Sequence, residues 1–177
     1  GRPVLPPEQI SSLVDSEGRF FSRYSFSRRA LLGQIRPEEV GAELNAQMNR
    51  FRAMGLKPTH IDSHQHIHAL PNVFPVVFAV ALEQKLPLLN PAETPIRLGR
   101  AGLGSIKQTV SKRALRYFCR ANGQRFGFPG LVPANGSFFS IFGLVPLPSH
   151  IHFEHYRLIL KAIPPGFAEL MVHVAKV

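Results

Sequence analysis

The sequence predicts an α/β protein built from helices that alternate with short parallel strands. Apolar residues recur at helical spacing over 37–54, and a segment at 59–64 alternates in polarity as a strand does. A second helical segment, 71–85, precedes a short apolar segment at 86–89. This order of elements is typical of parallel β/α units. The chain of 177 residues is long enough to enclose a hydrophobic core, so we expect a single domain over 1–177.

Boundary signals are clearest for the helix over 37–54. Pro37 suits the first helical position, where the missing amide hydrogen is not needed. Glu38 and Glu39 place negative charge at the positive end of the helix, and Gly55 is the residue type that commonly follows a helix. The predicted inward face of this helix consists of Val40, Leu44, Met48 and Phe51.

Further elements are predicted in the second half of the chain. A basic amphipathic helix is expected over 106–121, and a second helix over 152–162. The inward residues of the first are predicted to be Val110, Ala114, Tyr117 and Phe118. The inward residues of the second are predicted to be Tyr156, Ile159 and Leu160. Residues 127–142 favour short strands and loops, and the apolar run at 168–172 predicts a buried strand that ends at His173.

Composition and charge limit the class of protein. The hydrophobic fraction of 45% indicates a globular chain, and no apolar run reaches the ~18 residues of a membrane span. The first residues lack the apolar region of a secretory signal, so we expect a cytoplasmic location. The single cysteine, Cys119, excludes an internal disulfide and a cysteine-rich zinc site, and it is expected to be a buried thiol.

The formal net charge of +10 leaves several kinds of partner open. A charge of this size fits an anionic membrane surface, nucleic acid or acidic ligands, and it also fits a solvated surface. The sequence contains no nucleic-acid-binding motif, so nucleic acid is not the expected partner. A basic module that binds a membrane or nucleic acid remains an alternative interpretation of the chain.

The most informative stretch runs over 57–72, with the sequence K-P-T-H-I-D-S-H-Q-H-I-H-A-L-P-N. Within it, groups that bind metals or substrates stand at every second position: His60, Asp62, His64, His66 and His68. Alternate side chains of a strand share a face, so these five groups are predicted to lie on one side. Imidazole is the commonest protein ligand for zinc and related metals. The pattern therefore predicts a functional site where this strand ends.

Strand spacing limits how many of these groups one ion can hold. Neighbours on one face lie roughly 6.5–7 Å apart, whereas ligands of one ion lie within about 3–4 Å of each other. We therefore expect one metal ligand here, His64, with Asp62 orienting a neighbour and His60 in a structural role. His66 and His68 lie where the strand gives way to a loop, so we expect them to contact substrate or to lie at the surface.

His173 is the second candidate functional residue. It ends a predicted buried strand, and α/β folds place their chemistry at the ends of strands. An ordinary histidine at a strand end would fit the same position. The other histidines of this half are expected at the surface or at a helix end: His150, His152 and His155.

Three phrases of the sequence resemble one family. They are T-H-I-D-S-H-Q-H-I-H-A-L-P from Thr59, L-V-D-S-E-G-R-F-F from Leu13, and P-P-G-F-A-E-L-M-V-H up to His173. The sequence resembles the YdjC-like carbohydrate deacetylases, which include chito-oligosaccharide deacetylases. It looks most similar to their hopanoid-biosynthesis-associated branch, HpnK. The resemblance covers most of residues 1–173.

The resemblance implies a fold and a reaction. The fold is a distorted (β/α) barrel of the polysaccharide-deacetylase type, and the reaction removes an N-acetyl group from an amino sugar with one divalent metal, Mg or Zn. His64 matches one metal ligand of the family, and His173 matches the histidine that helps to protonate the leaving amine. Residues expected to orient ligands or bind substrate are Asp62, His66, His68 and Arg97.

The chain also departs from the family pattern. The family's other metal ligands and its general base come from N-A-D-D-F-G and H-L-x-L-T motifs, and this sequence has neither. It begins without an initiator Met. We therefore expect an N-terminally truncated domain, an incomplete barrel that lacks its first strands, and weak or absent hydrolysis. A noncatalytic remnant that binds metal weakly is the main alternative.

The resemblance implies partners as well. The expected substrate is an N-acetylated amino sugar, and the hopanoid branch implies a sugar linked to a lipid. A lipid-linked substrate would bring the basic surface of the chain into peripheral contact with a membrane. A homodimer is also compatible with the resemblance.

Overall fold

The computed structural model describes residues 1–93, 95–99 and 103–172, without the side chains of 103–105 and 107. These residues form two compact units. The first unit comprises Gly1–Leu89 and Asn122–Ala134, and the second comprises the described residues of 90–121 and 135–172. Among the helices of the described part of the chain, none combines the length and apolar character needed to cross a bilayer.

Most of the predicted helices are present. The α-helices are α1 (Arg23–Leu31), α2 (Pro37–Ala53), α3 (Phe74–Gln84), α4 (Leu103–Phe126) and α5 (Phe153–Ala162). The predictions at 37–54, 71–85 and 152–162 are confirmed to within three residues at each end, and α4 is longer than predicted. In α2 the predicted inward face is partly wrong, since Met48 is buried but Phe51 is exposed.

Two buried glutamates of α2 anchor the irregular N-terminal segment. Glu43 accepts hydrogen bonds from the backbone amides of Val4 and Leu5 at 2.9 and 3.0 Å. Glu39 accepts bonds from the amide and the hydroxyl of Ser12 at 2.8 and 2.7 Å. A buried carboxylate is stable only when its oxygens are hydrogen-bonded. The N-terminal segment and α2 therefore stabilise each other.

Helix α3 contributes to the aromatic core of the first unit. Phe74 stacks on Phe78 with ring centroids 5.6 Å apart. Phe128 meets both rings edge-on at 5.5 and 6.1 Å, and Phe126 approaches them at 5.7 and 5.9 Å. Edge-to-face and offset arrangements of this kind are favourable for aromatic rings. They hold the end of α4 and the residues that follow it against α3.

The strands of the second unit are short and parallel. They are β1 (Ile96–Arg97), β2 (Ser137–Ser140), β3 (Leu144–Val145) and β4 (Ala168–Met171). Strand β1 pairs with β3, and β2 pairs with β4, both in parallel. The prediction of an α/β protein with parallel strands is therefore confirmed.

Where the sequence predicts two strands, at 59–64 and 86–89, the structure has one isolated β-bridge. Ile61 pairs with Leu88 in parallel, and neither residue belongs to a longer strand. The amide of Leu88 bonds instead to the carbonyl of Pro133 at 3.0 Å. Pro87 has no amide hydrogen for a ladder, which limits strand formation here.

Helix α4 exposes the face that apolar spacing predicts to be buried. Val110 and Tyr117 are 59% and 69% exposed, and Ala114 is exposed too. Phe118 is half-buried, and the next residue, Cys119, is buried. The predicted inward face of this helix is therefore wrong for three of its four residues.

Polar contacts decide which face of α4 turns inward. The side-chain amide of Gln108 donates to the carbonyl oxygens of Phe142 and Leu144, both at 2.9 Å. One turn later, Lys112 forms an ion pair with the buried carboxylate of Glu93. Such groups must keep their partners once they leave water. The side of α4 that carries Gln108 and Lys112 therefore faces inward, and Val110 and Tyr117 stay exposed.

Helix α5 begins with a pair of histidines. The backbone amide of His152 donates to Nδ1 of His155 at 2.9 Å, and the His152 side chain accepts a bond from the backbone of His155. This reciprocal arrangement confirms the expected capping role. Ile159 is fully buried against Phe139 and Leu144, whereas Leu160 is exposed, contrary to the prediction.

Cys119 should be unreactive in the folded protein. Burial raises the pKa of its thiol to about 12, so the thiolate fraction at pH 8 should be about a thousandfold smaller than for a free cysteine. We expect iodoacetamide to alkylate the native chain at least that much more slowly than the chain in urea, as measured by mass spectrometry. Comparable rates in the two states would contradict the buried thiol.

Candidate functional site

The histidine-rich stretch bends into a 3₁₀ segment instead of continuing as a strand. The segment covers His64–Ala69. Gln65 and His66 have φ values of 63° and 58°, in the left-handed region that few non-glycine residues adopt. Side chains alternate between two faces only while the backbone stays extended. The predicted single face of five polar groups is therefore wrong.

Ser63 and His68 close this turn. The Ser63 hydroxyl lies 2.6 Å from Nδ1 of His68, and Ser63 Oγ accepts the backbone amide of His68 at 3.0 Å. Nε2 of His68 lies 2.9 Å from the carbonyl oxygen of Leu89. Since a carbonyl oxygen only accepts, Nε2 carries the hydrogen and Nδ1 accepts from the Ser63 hydroxyl. Both ring nitrogens therefore have partners.

His68 is a buried, neutral imidazole. Its side chain is 2% exposed. Burial lowers its pKa below the ordinary value of 6.5, against the opposing effects of the Leu89 hydrogen bond and the Asp62 carboxylate. The alternative that His68 lies at the surface is wrong, because the ring is enclosed and both nitrogens are engaged. Its role in orienting a ligand or binding substrate stays a prediction. Its place in the structure is to hold the turn.

His64 is the exposed imidazole of this turn. It follows Ser63 directly and opens the 3₁₀ segment. Asp62 accepts the backbone amide of Ser63 at 2.6 Å through Oδ1, and the same oxygen lies 4.0 Å from Nδ1 of His68. Asp62 and His68 thus fix the backbone on either side of Ser63. These contacts hold the backbone from which the exposed His64 side chain extends.

The other two histidines of the stretch have different surroundings. His60 is exposed, with Nδ1 2.9 Å from the Thr59 hydroxyl. His66 is half-buried, and its ring meets that of His68 edge-on at a centroid distance of 6.4 Å. The turn therefore brings Asp62 and His66 towards His68, and it leaves His60 and His64 facing solvent.

The described residues do not make a complete metal centre. Over 1–93, 95–99 and 103–172, no three His, Cys, Asp or Glu side chains form a group that could hold an ion. His64 offers one imidazole, and a catalytic metal needs about three protein ligands. The described part of the chain alone therefore does not supply the ligand set of the implied metal.

Two predicted site residues lie elsewhere in the chain. Arg97 is an exposed residue of β1 in the second unit, and it lines a cavity of about 410 Å³. His173 lies outside the described residues, so its catalytic role stays a prediction.

Sequence reasoning missed three residues with strong contacts. Strand alternation implies that Ser63 lies opposite the histidines, although a serine before a turn commonly bonds to the backbone ahead of it. Sequence reasoning also missed the ion pair of Glu93 with Lys112, which are 19 residues apart. No local pattern signals such a long-range pair.

Comparison with known proteins gives the family of the chain. The model of the YdjC-like protein family matches residues 1–177. The carbohydrate deacetylase of Brevibacillus brevis is 45% identical over 94 residues, which are 51% of this chain and 34% of that protein. The chitooligosaccharide deacetylase of Yersinia enterocolitica is 40% identical over 89 residues, which are 50% of this chain and 33% of that protein. The matched regions thus span about a third of each relative.

One solved structure shows the same fold. It is a protein of Enterococcus faecalis V583 described as a candidate cellobiose-phosphate cleavage protein. The structures superpose with a TM-score of 0.66 at 24% identity, over 99% of this chain and 56% of that one. Since the family model matches the chain over its entire length, the chain belongs to the YdjC-like protein family.

Proposed function

We propose that this chain takes part in hydrolysing the N-acetyl group of an amino sugar, as a carbohydrate deacetylase. The observation that carries the proposal is the family match over residues 1–177. The relatives from Brevibacillus and Yersinia are named carbohydrate deacetylase and chitooligosaccharide deacetylase. Because the matched regions cover about a third of those relatives, both the activity and the substrate are proposals for this chain.

Within this proposal, His64 is one ligand of a single divalent ion, Mg or Zn. Its support is the exposed ring at the start of a turn that Ser63 and His68 hold in place. Asp62 acts through the backbone by holding the Ser63 amide. We assign His66 and Arg97 to contact with the sugar, and His173 to protonation of the leaving amine.

The proposal also includes the more specific expectations about domain, fold, substrate, partners and location. They are one domain over 1–177, a (β/α) barrel type of fold, a lipid-linked substrate of the hopanoid branch, membrane contact, a homodimer and a cytoplasmic location. The family match and the parallel strands support the barrel type of fold, and the other expectations rest on the sequence resemblance and composition. The lack of a second and third metal ligand beside His64 among the described residues supports impaired hydrolysis.

The test is the release of acetate from di-N-acetylchitobiose by the purified chain, with the Brevibacillus relative assayed in parallel. We expect the chain to release acetate far more slowly than the relative, and His64→Ala to lower that rate by about a hundredfold or more. Zn²⁺ titration by calorimetry should show weaker binding by His64→Ala than by the unaltered chain.

His60→Ala is the matched control, because it removes an exposed imidazole from the same stretch. It should leave both acetate release and Zn²⁺ affinity within about twofold. Acetate release that survives His64→Ala would contradict the role of His64. A rate equal to that of the relative would contradict the impairment, and Zn²⁺ affinity unchanged by His64→Ala would contradict the metal ligand.

A further inference from the structure

We propose that the cavity of the second unit binds a phosphate monoester. The cavity measures about 410 Å³, within the range of about 300–1,000 Å³ that is usual for small-molecule sites. Arg97 of β1 lines it together with Arg113 and Arg116 of α4. Arg97 is also the residue assigned above to contact with the sugar, so the test below substitutes only Arg113 and Arg116. Phosphate binding by these residues does not depend on the proposed deacetylase activity.

The charge around the cavity is unbalanced. Lys112, a further lining residue, forms an ion pair with Glu93, and Glu93 also accepts the hydroxyl of Ser140 at 2.8 Å. The charge of Lys112 is therefore neutralised within the protein. In the described part of the chain, no carboxylate lies within 4.0 Å of the guanidinium nitrogens of Arg97, Arg113 or Arg116.

Among the described residues, the guanidinium groups of Arg97, Arg113 and Arg116 line one cavity without a carboxylate partner, so an anion in this cavity would meet opposite charge. A phosphate monoester is close to a dianion at pH 7 and offers three acceptor oxygens. Guanidinium groups bind phosphate through paired N–H donors, an arrangement that lysine does not provide. Phosphate therefore suits the charge and the donors of this cavity better than a single carboxylate.

The rest of the cavity wall suits an organic body attached to the phosphate. Ile106 and Val110 of α4 line it from one side, and Val145 of β3 also contributes. Ile106 and Val110 are apolar residues of α4 that are 52% and 59% exposed. A ligand with an apolar portion beside its phosphate would cover them. Such a group could belong to a soluble metabolite or to a lipid headgroup.

The experiment measures binding of phenyl phosphate to the full chain by calorimetry, at pH 7.5 and constant ionic strength. We expect saturable binding, and we expect the double substitution Arg113→Gln with Arg116→Gln to weaken it at least about tenfold. A second measurement compares cosedimentation with vesicles of phosphatidylcholine alone and with added phosphatidic acid, whose headgroup is a phosphate monoester.

The control removes two exposed arginines of α4 that are not among the lining residues, by Arg120→Gln with Arg125→Gln. It changes the net charge equally and should alter binding less than about twofold. Melting curves of both double variants check that the fold is kept.

Each outcome bears on the proposal. Loss of phenyl phosphate binding in the cavity variant alone would support a soluble monoester. Binding confined to vesicles with phosphatidic acid, and lost in the same variant, would assign the phosphate to a lipid headgroup. Failure to bind either probe, or equal loss in both double variants, would overturn the proposal.

Discussion

Glu93→Ala is expected to lower the free energy of unfolding by about 3–5 kcal/mol, because it leaves the Lys112 ammonium group largely buried without its counter-ion. The side chains of Glu93 and Lys112 are only 7% and 14% exposed. The substitution also removes the acceptor of the buried Ser140 hydroxyl. The chain is closely packed here, since a Cβ added at Gly143 would clash with Glu93 Oε1. Urea denaturation at pH 7, followed by circular dichroism, measures the loss.

Two comparisons separate burial from charge in this prediction. Glu154→Ala removes one partner of an exposed pair, Glu154 with Arg157 at 3.6 Å, and should cost about 1 kcal/mol or less. The double variant Glu93→Gln with Lys112→Met leaves no unpaired charge at these two positions, so it should be more stable than Glu93→Ala. A cost for Glu93→Ala as small as that for Glu154→Ala would show that the buried pair does not stabilise the protein.

The sequence predicts helices well where local signals and packing agree. In α2, Pro37, Glu38 and Glu39 mark the start, and the structure begins the helix at Pro37. In α4 the apolar periodicity predicts the helix correctly but predicts the wrong inward face. Gln108 and Lys112 have partners distant in sequence, and satisfying buried polar groups outweighs covering Val110 and Tyr117.

In the candidate site, likewise, the sequence predicts the kind of residues but not their conformation. The residue types over 57–72 point to a functional stretch, and the exposed ring of His64 is compatible with that prediction. The conformation could not be predicted from spacing, because alternation at every second residue fits a strand and says nothing of a turn. The left-handed φ values of Gln65 and His66 depend on the contacts that Ser63 makes with His68. Those contacts join residues within the turn itself, which alternation does not reveal.

His68→Ala should lower the free energy of unfolding by about 2–4 kcal/mol, because it leaves a cavity and removes the partners of the Ser63 hydroxyl and the Leu89 carbonyl. Ser63, which loses this contact, directly precedes His64. Urea denaturation measures the loss of stability. Proteolysis should then cleave the 64–69 segment faster in the variant than in the unaltered chain.

The same residue should make the protein sensitive to acid. Burial holds the pKa of His68 below its ordinary value of 6.5, so the folded chain binds fewer protons than the unfolded chain as the pH falls. The stabilisation is complete above pH 6.5 and is lost progressively as the pH drops through 6.5 towards the folded-state pKa. His68→Gln does not titrate, so its stability should change less between pH 7 and about pH 5 than that of the unaltered chain.

His60→Gln is the control for this pH dependence, since it removes an exposed histidine that lies eight positions earlier. It should keep the acid sensitivity of the unaltered chain. If His68→Gln and His60→Gln lose stability equally on acidification, another group causes the sensitivity and His68 is not held neutral. If only His68→Gln flattens the profile, the buried neutral ring both closes the turn and limits the pH range in which the turn is stable.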